Sequence, residues 1–528
     1  MSTITQHRPS PLLQGRLNIN RSSLPTQVQG TGINTPDLVR VLDPKAPSLY
    51  VPAFQLPTPP TSGPARALQS RDHPALSQVL DADLHEVIRS TITDRAVHDG
   101  GDESAFFVAD LSAVYQAVQM WRQSAMGDRV EIFYAVKCNP SPQVLHLLSL
   151  LGTSFDCAST AEIQQVLALP SAPSADRIIF ANPCKPASFV RAASDMGVDM
   201  MTFDNADELH KVKRFHPGAK LVLRILTDDS KSLCRLGLKF GAPLSTCPTL
   251  LRLAWELGLN VIGVSFHVGS GCKDPMQFED AVWRAKKVFA MGKEVGYDFR
   301  FLDIGGGFER ETFDEMSRVV KDGLDTYFPK EDGVRVVAEP GRLLVSSAFT
   351  LATNIIAQRR ALASPDAGPS TPSAEENEEG EGADVMYYIN DGVYGSFNCI
   401  MFDHQIVHPY PLTISHQLQS ATPSFPPPPN VDLAVDLPVQ LGYTDVEKAS
   451  VWGPTCDSID CVRSVVPLPK GLEVGDWIGW GEMGAYTLCA ASNFNGFEKS
   501  PMVWTTGGLT PNALAVRATL DAFDGPQR

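Results

Sequence analysis

The chain has 528 residues, 43% of them hydrophobic, and a formal net charge of −16. This length and composition suffice for two packed domains, and the negative charge argues against nucleic acid or an anionic membrane as the main partner. No stretch approaches the roughly 18 apolar residues of a membrane span, and no signal-peptide pattern is present. The ten cysteines show neither paired nor zinc-type spacing, which predicts reduced thiols in a cytoplasmic protein without a metal site.

Three segments have the composition of solvated chain rather than of a folded domain. Residues 1–74 are rich in Pro, Ser, Thr and Gln and predict a disordered N-terminal extension, after which residues 75–113 are expected to join a β domain. Residues 363–383 are strongly acidic, and residues 411–430 include the run Pro426 to Pro429. We expect these two segments to be surface insertions in a folded domain.

Strand-like and helix-like patterns alternate between residues 114 and 347, and this alternation predicts a (β/α)8 barrel of the α/β class. The alternative is an open doubly wound sheet. Such a sheet would want a glycine-rich turn after its first strand, whereas Lys-Cys-Asn-Pro follows here. The eight predicted strands are residues 132–136, 154–157, 177–181, 200–203, 220–225, 261–267, 301–304 and 334–338.

Residues 348–528 change to alternating β-branched and aromatic runs, which are typical of an all-β domain, a sandwich or a barrel. Residues 105–111 also read as a strand and are expected to pair with that domain from the N-terminal side. The predicted strands are residues 349–355, 385–389, 450–452, 477–481 and 485–491.

Lys137 closes the first predicted barrel strand, where Asn139 and Pro140 end the apolar run. A lone lysine at a strand end is most often solvated. In a barrel, however, the carboxyl ends of the strands carry the catalytic groups, and a partly desolvated amine there is suited to form a Schiff base with a carbonyl.

Glycine and arginine residues follow the last two barrel strands. Gly305, Gly306 and Gly307 follow one strand, and Gly341 and Arg342 follow the next. Loops at these positions of a barrel commonly bind phosphate, because glycines let backbone N–H groups approach the oxygens and an arginine adds a bidentate contact.

Two further strand ends complete a candidate cofactor site. Glu339 is a carboxylate suited to keep a pyridine nitrogen protonated. His267 offers a flat ring to stack on a cofactor, and Ser270 offers a hydroxyl for its phosphate, within a glycine-containing turn. Together with Lys137, these residues predict pyridoxal 5'-phosphate as the cofactor.

The motifs resemble those of the fold-type III pyridoxal-phosphate decarboxylases, specifically the eukaryotic ornithine decarboxylases. The resemblance runs from about residue 106 to residue 497 and implies an alanine-racemase-like barrel with a C-terminal β domain. The matching segments are residues 134–139, 155–159, 181–185, 267–271, 339–342, 394–398 and 452–457.

The resemblance also implies a role for individual residues. Lys137 would be the Schiff-base lysine, supported by Asp156 and Arg224, and Cys456 would be the acid that reprotonates Cα from the partner chain of a homodimer. Phosphate contacts are implied for Ser270, Gly305, Gly306, Gly307, Gly341, Arg342 and Tyr486, ring contacts for His267 and Glu339, and substrate contacts for Asp403, Asp457, Tyr394 and Phe494.

The activity implied by the resemblance is decarboxylation of L-ornithine to putrescine and CO2, with antizyme as a further partner through residues 185–208. Lysine, arginine or diaminopimelate is an alternative substrate for the same machinery, although diaminopimelate enzymes of this fold typically carry Glu where this chain has Asp457. A non-catalytic homologue that binds antizyme is the alternative from another class of protein.

Overall fold

The structure is a computed structural model that describes residues 79–97, 102–360, 383–420, 423 and 441–524. The expected N-terminal extension, residues 1–74, lies outside the described residues. The same holds for residues 363–382 of the first expected insertion and for most of residues 421–430 of the second.

Four elements precede the barrel. Asp110 caps the fourth of them, because its side chain accepts a hydrogen bond from Ser112 N at the helix start. The elements are β1 (Val79–Leu80), α1 (Leu84–Val97), β2 (Phe106–Asp110) and α2 (Leu111–Gln123).

Eight parallel strands form a closed barrel, which confirms the predicted fold class. The short strands β8 (Ser232–Cys234) and β10 (Ser270–Cys272) form a separate antiparallel pair outside it. The barrel strands are β3 (Val130–Ala135), β4 (Ser154–Cys157), β5 (Ile178–Phe180), β6 (Met200–Phe203), β7 (Lys220–Arg224), β9 (Asn260–Ser265), β11 (Phe301–Asp303) and β12 (Arg335–Ala338).

Helices follow the barrel strands and cover their outer faces, as the alternating pattern predicts. None of the helices within the described ranges is long and apolar enough to cross a membrane. The helices are α3 (Pro142–Leu150), α4 (Thr160–Leu167), α5 (Ala187–Asp195), α6 (Ala206–Phe215), α7 (Cys247–Glu256), α8 (Met276–Val295), α9 (Phe313–Tyr327) and α10 (Arg342–Val345).

Two apolar layers hold the barrel together because its strands are buried on both faces. One layer lies between strands and helices and includes the fully buried Tyr134, Phe155 and Leu223. The other forms a separate cluster of strand residues, as expected for side chains that fill a barrel interior. Its buried members are Phe133, Ile179, Met200, Val222, Phe301 and Val337.

Nine of the remaining strands form a mixed sheet that includes β1 and β2, with β2 antiparallel to its neighbour β13, and β16 and β17 pair in a separate two-stranded sheet. The elements after the barrel are β13 (Phe349–Arg360), β14 (Val385–Ile389), α11 (Asn398–Asp403), β15 (Pro409–Pro411), β16 (Thr413–Ile414), β17 (Gln417–Leu418), β18 (Val446–Trp452), β19 (Cys461–Pro469), β20 (Trp477–Trp480), β21 (Met502–Thr505) and α12 (Pro511–Asp524).

The prediction of a surface loop over residues 411–430 is wrong at its start. Strands β15, β16 and β17 lie there, and β15 pairs with β20. The buried Asp476 carboxylate explains this order, because it accepts hydrogen bonds from the Thr413 hydroxyl at 2.8 Å and from the backbone N–H groups of Ser415 and His416 at 3.0 and 2.8 Å.

Candidate active site

Lys137 lies in a short 3-10 turn, Val136–Cys138, directly after β3. Its Nζ atom is 2.5 Å from Oδ2 of Asp156 on the neighbouring strand β4. The Asp156 side chain is fully buried, whereas 41% of the lysine side-chain surface remains exposed. The carboxylate of Asp156 therefore holds the amine in place, while part of the lysine side chain remains accessible to a ligand.

Charge sets the protonation of this lysine. Desolvation alone would lower the Lys137 pKa, but the carboxylates of Asp156 and Glu339 outweigh it and raise the pKa well above its ordinary value. The lysine is thus held as an ammonium between acidic groups.

Two buried carboxyl groups, Asp303 and Glu339, lie at the ends of the adjacent strands β11 and β12, and the charge of Asp303 acts on Glu339. Burial raises the Asp303 pKa to about 7, and burial together with the charges of Asp156 and Asp303 raises the Glu339 pKa well above its usual range. The sequence reasoning assigned Glu339 but missed Asp303. Its position as the last residue of β11, directly before three glycines, was the available signal.

His267 follows β9 and presents a neutral ring. Its Nδ1 atom accepts a hydrogen bond from Gly269 N at 2.9 Å, and burial lowers the His267 pKa well below its usual value, with Arg224 adding to the effect. A Cβ atom at Gly306 would lie 2.9 Å from His267 Nε2. The imidazole therefore packs directly against the glycine loop.

The glycine loop requires its glycines. Gly307 has a φ of +105°, and a Cβ atom there would lie 2.4 Å from the carbonyl oxygen of Gly269; at Gly305, with a φ of +66°, it would lie 2.2 Å from that of Phe266. A Cβ at Gly341 would meet the Cys138 side chain at 2.9 Å. The two loops that were predicted to bind phosphate are thus closely packed backbone.

Arg342 begins α10, beside these loops. It donates a hydrogen bond to Asp403, and its Nε atom is 3.4 Å from Oε1 of Glu309. Its guanidinium carbon lies 5.4 Å from the centroid of the Tyr486 ring. The structure thus places Asp403, a predicted substrate contact, against a predicted phosphate contact, and the Cys234 Sγ atom lies 3.7 Å from the same carboxylate.

The other predicted cofactor contacts also lie at the barrel rim. Arg224 is the last residue of β7, and its guanidinium carbon is 5.1 Å from the Phe240 ring centroid. Ser270 begins β10. Tyr486 has a φ of +56° and donates its backbone N–H to the Cys138 carbonyl at 3.0 Å, which ties a loop of the mixed sheet to the lysine turn.

A second cluster lies on the mixed-sheet side, in the turn between β18 and β19. Cys456 is exposed and donates its backbone N–H to Asn495 at 3.3 Å. The Tyr394 hydroxyl donates to Asp457 at 2.5 Å and lowers the Asp457 pKa, and the Tyr394 ring stacks on Phe494 with centroids 4.2 Å apart. The hydrogen bonds and ion pairs of the described residues do not join this cluster to Lys137.

The barrel residues fit pyridoxal phosphate. Oδ1 of Asp156 and Oε1 of Glu339 are buried without a hydrogen-bond partner among the described residues. Each of these two oxygens, at the ends of the strands that flank the Lys137 strand, can accept a hydrogen bond from a bound ligand. This cofactor needs an amine for its aldehyde, a carboxyl group for its ring nitrogen, and glycines with an arginine for its phosphate. The barrel residues supply all of these groups.

Comparison with known proteins agrees with the geometry. Residues 111–346 match the family described as pyridoxal-dependent decarboxylase, pyridoxal binding domain. The ornithine decarboxylase of Schizosaccharomyces pombe is 47% identical over 430 residues, covering 80% of this chain and 89% of that protein. Antizyme inhibitor 2 of Xenopus laevis is 48% identical over 406 residues, covering 76% and 81%.

A solved structure is also similar. The arginine decarboxylase of Paramecium bursaria Chlorella virus, bound to agmatine, has a TM-score of 0.67 and 30% identity, covering 80% of this chain and 100% of that one. Fold and site thus define a barrel-type pyridoxal enzyme. The chain belongs to the family of pyridoxal-dependent decarboxylases, and its cofactor is pyridoxal phosphate.

Proposed function

We propose that this protein decarboxylates L-ornithine to putrescine and CO2, the first step of polyamine synthesis. The observation that carries the proposal is the Lys137–Asp156 ion pair at 2.5 Å within a closed barrel. Ornithine decarboxylases of two yeasts and of rodents are 43–47% identical over at least 80% of this chain, and that similarity supports ornithine as the substrate.

The barrel residues bind and orient. Lys137 would hold the cofactor through its amine, and Arg342 and the glycine loop would hold its phosphate. When bound, pyridoxal phosphate supplies an electron-withdrawing ring that stabilises the electron pair left at Cα after CO2 departs. Burial and acidic neighbours disfavour the negative charge of Glu339. A cationic partner would stabilise that charge, so Glu339 is suited to hold the proton at the ring nitrogen.

The turn residues finish the reaction and select the substrate. The thiol of Cys456 donates a proton to Cα, which fixes the product as an amine. Asp457, kept ionised by the Tyr394 hydroxyl, accepts the distal ammonium of the substrate, and Asp403 is the second carboxylate for that ammonium. Phe494 and Tyr394 form the aromatic wall beside them.

The two clusters belong together in a homodimer with shared active sites. Cys456 is exposed, so another surface must bring the reacting carbon to it. Leu238 and Phe402 are 81% and 72% exposed, and the Phe402 carbonyl lies 4.0 Å from Cys234 Sγ at the barrel rim. Exposed apolar side chains beside an active site are typical of a subunit interface.

The choice of substrate rests on the distance between the reacting carbon and the distal carboxylates. The arginine decarboxylase above has the same fold, so the fold itself does not select ornithine. Steady-state rates on ornithine, lysine, arginine and diaminopimelate, measured side by side, test the choice. A kcat/KM for lysine or arginine equal to that for ornithine would refute it.

A second candidate function is non-catalytic binding of antizyme, which the similarity to an antizyme inhibitor favours. The complete cofactor donor set opposes it. Antizyme remains a proposed partner of the enzyme through residues 185–208, but support from charge is small. The Lys185 amine is buried and bonds Glu208 at 2.9 Å, which leaves Arg191 as the accessible cation among those residues.

Cytoplasmic location is part of the same proposal. All ten cysteines are free thiols, five of them buried, and thiols of this kind persist in a reducing compartment. Fractionation of cells that express the tagged protein would test the location.

The deciding experiment replaces the lysine. Lys137→Ala is expected to release no CO2 from ornithine and to lack the visible absorbance of covalently attached pyridoxal phosphate. Lys220→Ala is the matched control, since Lys220 starts a barrel strand at the opposite end and pairs with Asp199 at the surface, 3.4 Å away. Activity in Lys137→Ala would refute the proposed function.

A further inference from the structure

The turn between β18 and β19 carries the exposed Cys456 and the half-buried Asp457. An exposed turn is usually mobile, yet a proton donor must be placed to within a fraction of an ångström. The residue that meets this requirement lies three positions beyond Asp457.

Asp460 ends the turn with a carboxylate that points inward, with 1% of its surface exposed. Its Oδ2 atom accepts hydrogen bonds from Thr455 N at 3.0 Å and from Thr455 Oγ1 at 2.6 Å. Its Oδ1 atom accepts one from Val393 N at 2.8 Å. One carboxylate therefore joins the residue before Cys456 to the residue before Tyr394.

Two glycines make room for this carboxylate. A Cβ atom at Gly392 would lie 2.2 Å from Asp460 Oδ1, and one at Gly453 would lie 2.3 Å from it. No side chain fits at either position unless the carboxylate moves. Both loops are therefore built around the Asp460 side chain.

Backbone contacts complete the unit. Gly453 N donates to the Asp460 carbonyl at 2.8 Å, and Asp460 N donates to the Asp457 carbonyl at 3.1 Å. Across the gap, the Tyr394 hydroxyl donates to the Asp457 carboxylate at 2.5 Å. The catalytic turn and the Tyr394 loop are thus connected at both ends of the turn.

We propose that Asp460 is a positioning residue that fixes Cys456 and Asp457 as one preassembled unit for the reaction. This inference rests on the proposed function. The three donors need an acceptor at both carboxylate oxygens. An asparagine would turn its NH2 group toward at least one of these donors and leave that group unsatisfied.

The test is Asp460→Asn in the full-length holoenzyme. We expect kcat to fall roughly tenfold or more, because a buried donor loses its acceptor, while cofactor absorbance stays unchanged. KM for ornithine is expected to rise as well, since Asp457 moves with the turn.

The carbon that receives the proton from Cys456 can be measured through the products. This product ratio would not change if Asp460 only stabilised the fold. If the proton reaches the cofactor carbon instead of Cα, one water hydrolyses the C=N bond. This releases 4-aminobutanal and leaves the amine nitrogen on the cofactor as pyridoxamine phosphate. The fraction of CO2 release that ends in 4-aminobutanal is expected to rise in Asp460→Asn.

Asp476→Asn is the matched control. Asp476 is a fully buried carboxylate of the same sheet, and it accepts hydrogen bonds from Ser415 N at 3.0 Å and Glu473 N at 2.8 Å, away from the catalytic turn. We expect this change to lower the unfolding temperature without altering product partition. In cofactor-free protein, amide exchange at Val393 and Thr455 is expected to accelerate in Asp460→Asn alone.

Thr455→Val serves if Asp460→Asn fails to fold, because it removes the 2.6 Å hydrogen bond and keeps the carboxylate. It is expected to raise the 4-aminobutanal fraction by a smaller factor. Unchanged partition in a folded Asp460→Asn or Thr455→Val enzyme, or an equal change in Asp476→Asn, would overturn the inference. Absence of CO2 release from the wild-type protein would instead refute the proposed function.

Discussion

The Lys137 amine and the Asp156 carboxylate lie 2.5 Å apart at the ends of adjacent strands, and the aspartate is the buried member of the pair. Asp156→Asn removes the charge that most raises the Lys137 pKa. We expect the Lys137 pKa to fall by roughly one to three units. The pH dependence of reductive trapping of pyridoxal phosphate on the cofactor-free protein measures this shift, and an unchanged profile would contradict it.

Glu339 is expected to matter for chemistry more than for cofactor retention. Glu339→Gln keeps the size of the side chain but removes the negative charge, and we expect kcat to fall by about 100-fold, as for other lost preorganised electrostatic contacts. Glu131→Gln is the control, because its ion pair with Arg335 is exposed and contributes little. Equal kcat values for both variants would count against the role of Glu339.

Asp303 gives the cofactor-free protein a specific pH dependence. Its pKa is raised from 3.8 in the unfolded chain to about 7 in the fold, so the folded state binds its proton more tightly. Stability from this group is therefore present at low pH and is lost as the pH rises from about 4 to about 7. Asp303→Asn mimics the protonated form and removes the dependence.

Urea unfolding of both cofactor-free proteins across that range measures the difference. The stability of Asp303→Asn relative to wild type is expected to increase with pH and to level off above about 7. A difference that does not vary with pH would mean that folding does not raise the Asp303 pKa.

Shared active sites predict complementation between two inactive proteins. A mixture of Lys137→Ala and Cys456→Ala subunits that exchange freely forms half heterodimers, each with one intact site of two. Activity is therefore expected to recover to about a quarter of the wild-type value. If subunit exchange is verified and no activity returns, each site belongs to a single chain.

The sequence predicted the barrel because strands buried on both faces leave a strong apolar signal, and it predicted the place of Lys137 because proline ends such a strand. Asp303 was missed because one acidic residue before a glycine turn has many ordinary explanations. The Arg342–Asp403 contact was missed because it joins residues 61 positions apart. Contacts of that kind depend on tertiary packing, which periodicity does not encode.

The closed barrel places β11, β12, β3 and β4 side by side. Asp303, Glu339, Lys137 and Asp156 consequently lie at the ends of four consecutive strands, where the charges of Asp156 and Glu339 act on the Lys137 ammonium and the charge of Asp303 acts on Glu339. A proton gained or lost at any of them changes the cost of charging the others. The protonation states of these groups are therefore linked. A substitution at one strand end changes the ionisation of the groups at the neighbouring strand ends of the barrel.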